Sequence, residues 1–252
     1  MQSIDLNSDM GESFGAWRSG DDRAMFSVVS SANIACGFHG GDPEVMAQSF
    51  ALAKEKGVSV GAHPGYADLW GFGRRIIPHS AGEIERLVAY QIGAAQALSA
   101  YAGHPISYVK AHGALGNQTQ TDEDVARAVC RAVKAVDPTL ACLAIARGHQ
   151  ERIAAEMGLA VFSEIFADRA YTEEGTLVSR KEPGAVLHDG EEAAARAVRM
   201  VEAGAIETVS GRMIPVPIHS ICVHSDTPAA VAIAGQVRRA LEAAGVAIKA
   251  FA

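Results

Sequence analysis

The sequence predicts an α/β fold: a distorted (β/α) barrel of seven or eight mostly parallel strands. Three observations carry that expectation. Short β-like runs alternate with helix-length amphipathic segments almost from end to end, the pattern of a parallel sheet wrapped by helices. Several runs end in a histidine or an acid, and the carboxyl-terminal mouth of such a barrel is where chemistry is built. A doubly wound open sheet would suit the strand count. However, no GxGxxG follows the first strand, no GxxxxGK[ST] occurs, and no glycine precedes any lysine, so the usual nucleotide fingerprints are missing.

The strand candidates are Ser3–Asp9, Ala32–Gly37, Val58–Ala62, Ser107–Ala111, Leu140–Ile145, Ala160–Phe166, His219–His224 and Val246–Phe251. Between them the helices carry their own punctuation. Asp42-Pro43 is an N-cap with proline at the first helical position, and Gly57 follows the last turn. Ser80 and Glu83 form a capping box, after which Ile84, Leu87, Val88, Gln91, Ile92, Ala95 and Leu98 recur at helical spacing until Gly103. Thr121 with Asp124 starts a third helix, striped by Val125, Ala128, Val129, Ala132 and Val133. Thr227-Pro228 starts another, and Gly245 closes it. The stretch from Asp168 to His188 is irregular, and "ETVSGRMIPV" reads as a small hairpin. With no Pro/Gly/Ser linker in sight, residues 1–252 read as one barrel domain with an insertion at about 168–218.

Bulk properties narrow the class. The chain has 252 residues, 49% of them hydrophobic, which is ample for a large core. A net charge of −7 argues against nucleic acid, which needs clustered Lys and Arg. Four cysteines without a CxxC pair are expected as reduced thiols. The start has no basic region followed by an apolar one, and no apolar run approaches the ~20 residues of a membrane span. A cytoplasmic protein without a membrane partner is the expectation, with homo-oligomerisation left open.

The strand ends carry the chemistry. "SVGAHPG" ends the third strand with His63, "YVKAHGALGN" the fourth with His112, and "SICVHSDTP" the seventh with His224 and Asp226. "SANIACGFHGGD" ends the second with His39, and "IDLNSDMGE" the first with Asp9 and Glu12. Side chains alternate along a strand, so Asp5, Asn7 and Asp9 share one face and Ile4 and Leu6 the other. The same parity aligns Asn33 with His39, Gly61 with His63, Lys110 with His112 and Cys222 with His224.

A lone strand-end histidine is more often a satisfied polar group than a catalyst. Four of nine at matching ends, beside two acids, favour function, because an unpaired buried polar group costs about 1–3 kcal/mol. Such a set suits general acid–base work or a divalent metal. No tight metal spacing such as HExxH is present, so a metal depends wholly on folding; its ligands would be His39, His63 and His112. Arg74 and Arg75, on a Gly-rich loop, are a carboxylate grip or equally a solvated pair. Lys110, mid-strand between valine and alanine, is a candidate charge stabiliser. Glu164 and Asp168 flank the sixth strand end; Asp168-Arg169 reads either as a local ion pair or as a further acid at the same mouth.

Taken together, "DLNSDMGE", "NIACGFHGGD", "GAHPGYAD…GFGRR", "VKAHGALGN", "EIFADRAY" and "CVHSDTP" resemble, in order, the LamB/YcsF family, the A subunits of prokaryotic 5-oxoprolinase. The likeness runs from the first strand to Pro228. Three positions depart from the family's usual residues: Ala111 for proline, Gly116 for tyrosine and Ser225 for glycine. The resemblance implies a barrel of the glycoside hydrolase/deacetylase type. It also implies an ATP-dependent amidohydrolase that opens 5-oxo-L-proline to L-glutamate with B and C subunits, using ATP together with Mg2+.

On that reading Asp9 or Glu12 is the base, and His63, His112 or His224 moves protons. Asn7, Asn33, His39, Arg74, Lys110 and Asp226 bind substrate, with Arg74 on its carboxylate and Lys110 on the activated oxygen. The rivals are a metal-dependent deacetylase-like hydrolase and a non-catalytic lactam-binding subunit.

Overall fold

A computed structural model describes residues 3–225 and 229–252. In chain order the elements are β1 (Ser3–Met10), α1 (Asp22–Met25), β2 (Ser31–Ala35), α2 (Pro43–Lys56), β3 (Ser59–His63) and α3 (Ala81–Ala102). Then come β4 (Tyr108–Val109), α4 (Gly113–Thr121), α5 (Glu123–Val136), β5 (Ala141–Ile145), α6 (His149–Glu156) and β6 (Val161–Phe166). The chain ends with α7 (Gly190–Ala203), β7 (Ala205–Glu207), β8 (Met213–Pro215), β9 (Ser220–Cys222), α8 (Ala230–Ala243) and β10 (Ala247–Ile248). The expected start of α8 at Thr227-Pro228 lies outside the described residues.

Strands β1 to β6 pair in sequence, all parallel, and β9 closes the ring between β6 and β1. This is the expected closed barrel, with seven strands. The eighth, β10, is an addition: it pairs with Ser3 and Ile4, before β1 meets β9 at Asp5. The expected hairpin forms as β7 and β8, antiparallel.

The local signals are realised as chemistry. Asp42 Oδ1 accepts from the Glu44 and Val45 amides, and Gly57 closes α2 at φ +66°. Ser80 and Glu83 cap each other at the start of α3. One boundary differs from expectation. Thr121 is the last residue of α4, and Asp122 caps α5 by accepting from the Asp124 and Val125 amides. Ser107–Ala111 narrows to Tyr108–Val109, and Ala32–Gly37 stops at Ala35 because Gly37, at φ +96°, turns the chain away.

The core lies between sheet and helices, where Ile4, Leu6, Ile34, Val60, Val109 and Val223 point outward as expected. Inside the barrel the amino-terminal end is plugged by Tyr108, Leu143 and Phe162 packed with Phe251. Gly61 admits the Tyr108 ring; a Cβ there would sit 2.3 Å from it. With that end filled by rings, polar side chains occupy the other. All four cysteines are free and buried. Among the described residues no helix is long and apolar enough to cross a membrane.

Candidate active site

The polar interior begins deep and rises toward the carboxyl-terminal mouth. Ser30, Ser31 and Ser220 all donate to Asp5. Burial pushes that carboxyl's pKa up, against those hydroxyls. One layer higher, the Asn7 amide donates to Glu164 Oε1 at 2.9 Å and to Ser220 at 2.6 Å. Asn33 donates to Asn7 Oδ1 at 2.7 Å and to Asp9 Oδ1 at 2.8 Å, and accepts from the Tyr108 hydroxyl at 2.7 Å. Asn7 and Asn33 thus have their amides satisfied by protein.

Above them Lys110 is a buried cation between two acids, Asp9 Oδ1 at 2.9 Å and Glu164 Oε1 at 2.8 Å. Its ammonium also donates to Asn7 Oδ1 and Cys222 Sγ and lies 5.4 Å from the Phe166 ring centre. Burial alone would lower the Lys110 pKa, but Asp9, Cys222 and Glu164 hold it well above the ordinary value. The two acids are pushed apart. Burial raises Asp9, yet the His63 imidazole and the Lys110 ammonium more than reverse this and hold it well below the carboxylate range. Burial raises Glu164 against Lys110, and the Asp9 charge raises it further. Glu164 Oε2 is buried with no hydrogen-bond partner among the described residues. Asp9 is therefore the ionised member and Glu164 the one that readily keeps a proton.

Three histidines and Glu12 sit beside Asp9. His63 Nδ1 donates to the Lys110 carbonyl at 2.7 Å, and its Nε2 lies 3.3 Å from Asp9 Oδ1. His112 Nε2 donates to the Phe72 carbonyl at 2.8 Å, and its Nδ1 is 3.0 Å from His63 Nε2 and 3.4 Å from Glu12 Oε1. His39 stacks on His112 with ring centres 3.5 Å apart, and its Nε2 is 3.2 Å from Glu12 Oε1. Burial lowers His39 and His112 well below the imidazole range, so both rings are neutral at pH 7. Gly65 makes room for the stack: a Cβ would stand 2.9 Å from His39 Nδ1. Ligand atoms of Glu12, His39, His63 and His112 all lie within 4.8 Å of one another, a set able to hold a metal ion.

A cavity of about 550 Å³ opens over this layer and is lined by Asp9, Glu12, His63, Lys110, His112 and Glu164. Arg74, Arg169, Arg180 and His224 line it as well. His224 Nδ1 donates to Asp168 Oδ2 at 2.8 Å, and its ring stacks on Phe166. Burial raises Asp168, but His224 outweighs it and keeps the carboxyl below its ordinary value.

The family model for the LamB/YcsF family matches residues 4–252. The chain belongs to the LamB/YcsF family. The A subunit of a 5-oxoprolinase from Gluconobacter oxydans is 64% identical over 250 residues, 99% of this chain and 98% of that protein. A lactam utilization protein from Thermus thermophilus shares the fold at TM-score 0.93 with 46% identity, covering 99% of this chain and 100% of that one. The catalytic domain of a peptidoglycan N-acetylglucosamine deacetylase from Eubacterium rectale shares the architecture alone. It has TM-score 0.53 and 11% identity over 100% of this chain and 89% of that one.

In this LamB/YcsF chain, the residues singled out by sequence fall into four groups. Asp9, Glu12, His63, Lys110, His112 and His224 meet at one cavity. His39 stands behind His112, and Asn7 and Asn33 lie in the layer beneath. Arg74 lines the cavity with its guanidinium 5.1 Å from the Phe72 ring centre, whereas Arg75 pairs with Asp68. Asp226 lies outside the described residues.

Of the two readings of Asp168-Arg169, the acid at the mouth agrees with the structure and the local ion pair does not. Asp168 turns to His224, and Arg169 is buried, held by the Val178 and Ala185 carbonyls. Burial and the neighbouring Arg180 bring Arg169 down to about 10. Sequence reasoning missed Tyr108 and Arg169; an aromatic at a strand's inward parity and an arginine directly after a strand end were the available signals. The departures Ala111 and Gly116 touch, since a Cβ at 116 would lie 2.5 Å from the Ala111 carbonyl. Ser225, where the family has glycine, donates to the Asp9 carbonyl and pins the backbone behind that acid.

Proposed function

We propose that this chain is the A component of an ATP-dependent 5-oxoprolinase, a hydrolase that opens the lactam of 5-oxo-L-proline to L-glutamate with B and C subunits, in the cytoplasm. Full-length likeness to a lactam utilization protein and to a 5-oxoprolinase component supports the substrate class. The observation that carries the reading is the pair of acids with opposite protonation tendencies, Asp9 and Glu164, sharing the Lys110 ammonium at the floor of an open cavity.

An amide carbon is a weak electrophile because of resonance, and ATP, with Mg2+, overcomes this by phosphorylating the lactam oxygen. One water then adds to the ring carbon, the C–N bond breaks, and the nitrogen leaves as the amine after taking a proton. A second water releases phosphate. Arg74 on the cavity wall suits the substrate carboxylate. Lys110, positive at every working pH, suits the oxygen on which charge develops. A carboxylate held as low as Asp9 is a weak base, so its part is to hold Lys110 and His63 in place. His224, oriented through Nδ1 by Asp168, is the better proton carrier, since its Nε2 has no hydrogen bond among the described residues. Glu164 is the group able to give a proton to the departing nitrogen. Asn7 and Asn33, bonded to each other and to both acids, position this layer rather than contact substrate.

The test is reconstitution of the chain with B and C subunits, following glutamate release with and without ATP. ATP-dependent release that disappears when this chain is omitted supports the proposal. Release by B and C alone sinks it.

A further inference from the structure

We propose that Glu12, His39, His63 and His112 form a mononuclear site for a borderline transition-metal dication, with Zn2+ as the reference probe. Two backbone carbonyls dictate the argument. A carbonyl only accepts, so in the neutral ring His63 Nδ1, 2.7 Å from the Lys110 oxygen, carries the hydrogen, and Nε2, also 3.3 Å from Asp9 Oδ1, is a lone pair that calls for a proton or a metal ion beside that carboxylate. His112 Nε2, 2.8 Å from the Phe72 oxygen, does the same and leaves Nδ1 bare. These two lone pairs face each other at 3.0 Å. Glu12 Oε1 joins them at 3.4 Å from His112 Nδ1, with His39 Nε2 3.2 Å from the same oxygen. His39 Nε2 meets Glu12 as a donor in one tautomer and as a ligand in the other, and the two facing imidazole nitrogens repel unless a proton or a metal ion sits between them.

The spacing fits a metal. Bonds of about 2.0–2.1 Å give ligand–ligand edges of about 3.0 Å in octahedral and about 3.4 Å in tetrahedral coordination. Three of the six separations, 3.0, 3.2 and 3.4 Å, span that interval, and all the ligand atoms lie within 4.8 Å of one another. Outer-nitrogen hydrogen bonds to backbone carbonyls are also how proteins orient ligand imidazoles. The Phe72 carbonyl is aimed at His112 from a left-handed backbone, φ +54°, a conformation that costs a non-glycine residue energy and persists only where its surroundings hold it. Three of the four residues line the cavity, which gives an ion its entry path. Three imidazoles with one carboxylate select a borderline ion such as Zn2+ or Co2+, whereas Mg2+ prefers oxygen ligands. The site is therefore distinct from any Mg2+ that arrives with ATP, and it stands or falls independently of the lactam reaction.

The experiment strips the full chain with a chelator, then titrates Zn2+ against a chromogenic competitor and measures retained metal after dialysis. The expected result is about one Zn2+ per chain, unaffected by a large excess of Mg2+, with Co2+ giving visible d–d bands. His112→Asn weakens binding by about 100-fold. His39→Asn weakens it by only about tenfold, because His39 Nδ1 has no hydrogen-bond partner among the described residues to fix its ring. Circular dichroism confirms folding, and Glu12→Gln serves if His112→Asn does not fold. Absence of stoichiometric Zn2+, or equal affinity in folded His112→Asn or Glu12→Gln, overturns the proposal and leaves a shared proton between His63 and His112.

Discussion

Replacing Lys110 with methionine keeps most of the side chain's volume and deletes one charge. Its two acid contacts, 2.9 Å to Asp9 and 2.8 Å to Glu164, are both buried. Glu164 already leans toward its neutral form, so the loss falls mainly on Asp9, which is left ionised without its ammonium. Breaking a buried pair in this way costs about 3–5 kcal/mol. For a chain of this size that corresponds to a melting point lower by about 6–20 °C.

The pH dependence has a definite sign. In the native protein the Asp9 carboxyl is depressed, so its contribution is present above the unfolded value near 4 and is lost as pH falls toward the folded one. In Lys110→Met the same carboxyl rises by burial, and the folded variant gains from taking up a proton. The deficit is therefore largest near pH 7–8 and narrows toward about pH 5. Urea denaturation of both proteins across that range measures it, and Lys110→Met/Asp9→Asn should recover about 0.5–3 kcal/mol of the loss. A deficit below about 1 kcal/mol near neutrality, or one that does not change with pH, would refute the assignment of Asp9 as a buried, cation-held carboxylate.

Three further predictions probe separate parts. Asp168→Asn keeps the shape beside His224 but removes its negative partner; kcat should fall by about 100-fold with little change in KM, as steady-state glutamate release will show. An unchanged kcat would remove His224 from proton transfer. Arg74→Ala should raise the KM for the lactam at least about tenfold, the loss expected of about 1.5–3 kcal/mol in a charge-assisted contact, and an unaltered KM would place the substrate carboxylate elsewhere. Asp122→Ala should cost about 1 kcal/mol, or roughly 2–4 °C, without touching activity. If Thr121→Ala proves the costlier of the two in thermal melts, α5 starts where the sequence alone suggested.

How much of this was legible depends on which physical rule places each residue. Asp9, His63 and Lys110 lie on or next to strands, where alternation fixes the face, and the expectation of their meeting at one mouth holds. His39 reaches the cluster by another route. The strand parity that aligned it with Asn33 ends at Ala35, and the turn at Gly37 delivers the imidazole instead. Helix α4, with sequence GALGNQTQT, has two glycines and no apolar stripe, so tertiary contacts rather than periodicity make it helical. The Asp168–His224 pair is 56 residues apart, and adjacency in the chain offers Arg169 as a partner but says nothing of His224.

Alternation says which side of the sheet a residue faces but is silent about whom it meets, and here partners are set at the seam where the barrel closes. Asp5 lies opposite Ser220 and Asn7 opposite Cys222 across β1 and β9. That register lets Ser220 bond both Asp5 and Asn7, and brings Cys222 Sγ within 3.1 Å of Lys110. A slip of one residue would turn Ser220 and Cys222 outward and Ile221 inward, against the apolar layer that buries Ile221 completely. The outward packing of Ile221 thus enforces the register, and the register in turn wires the inner acids to Lys110. The polar layer is specified from its apolar side, by residues that never touch the cavity.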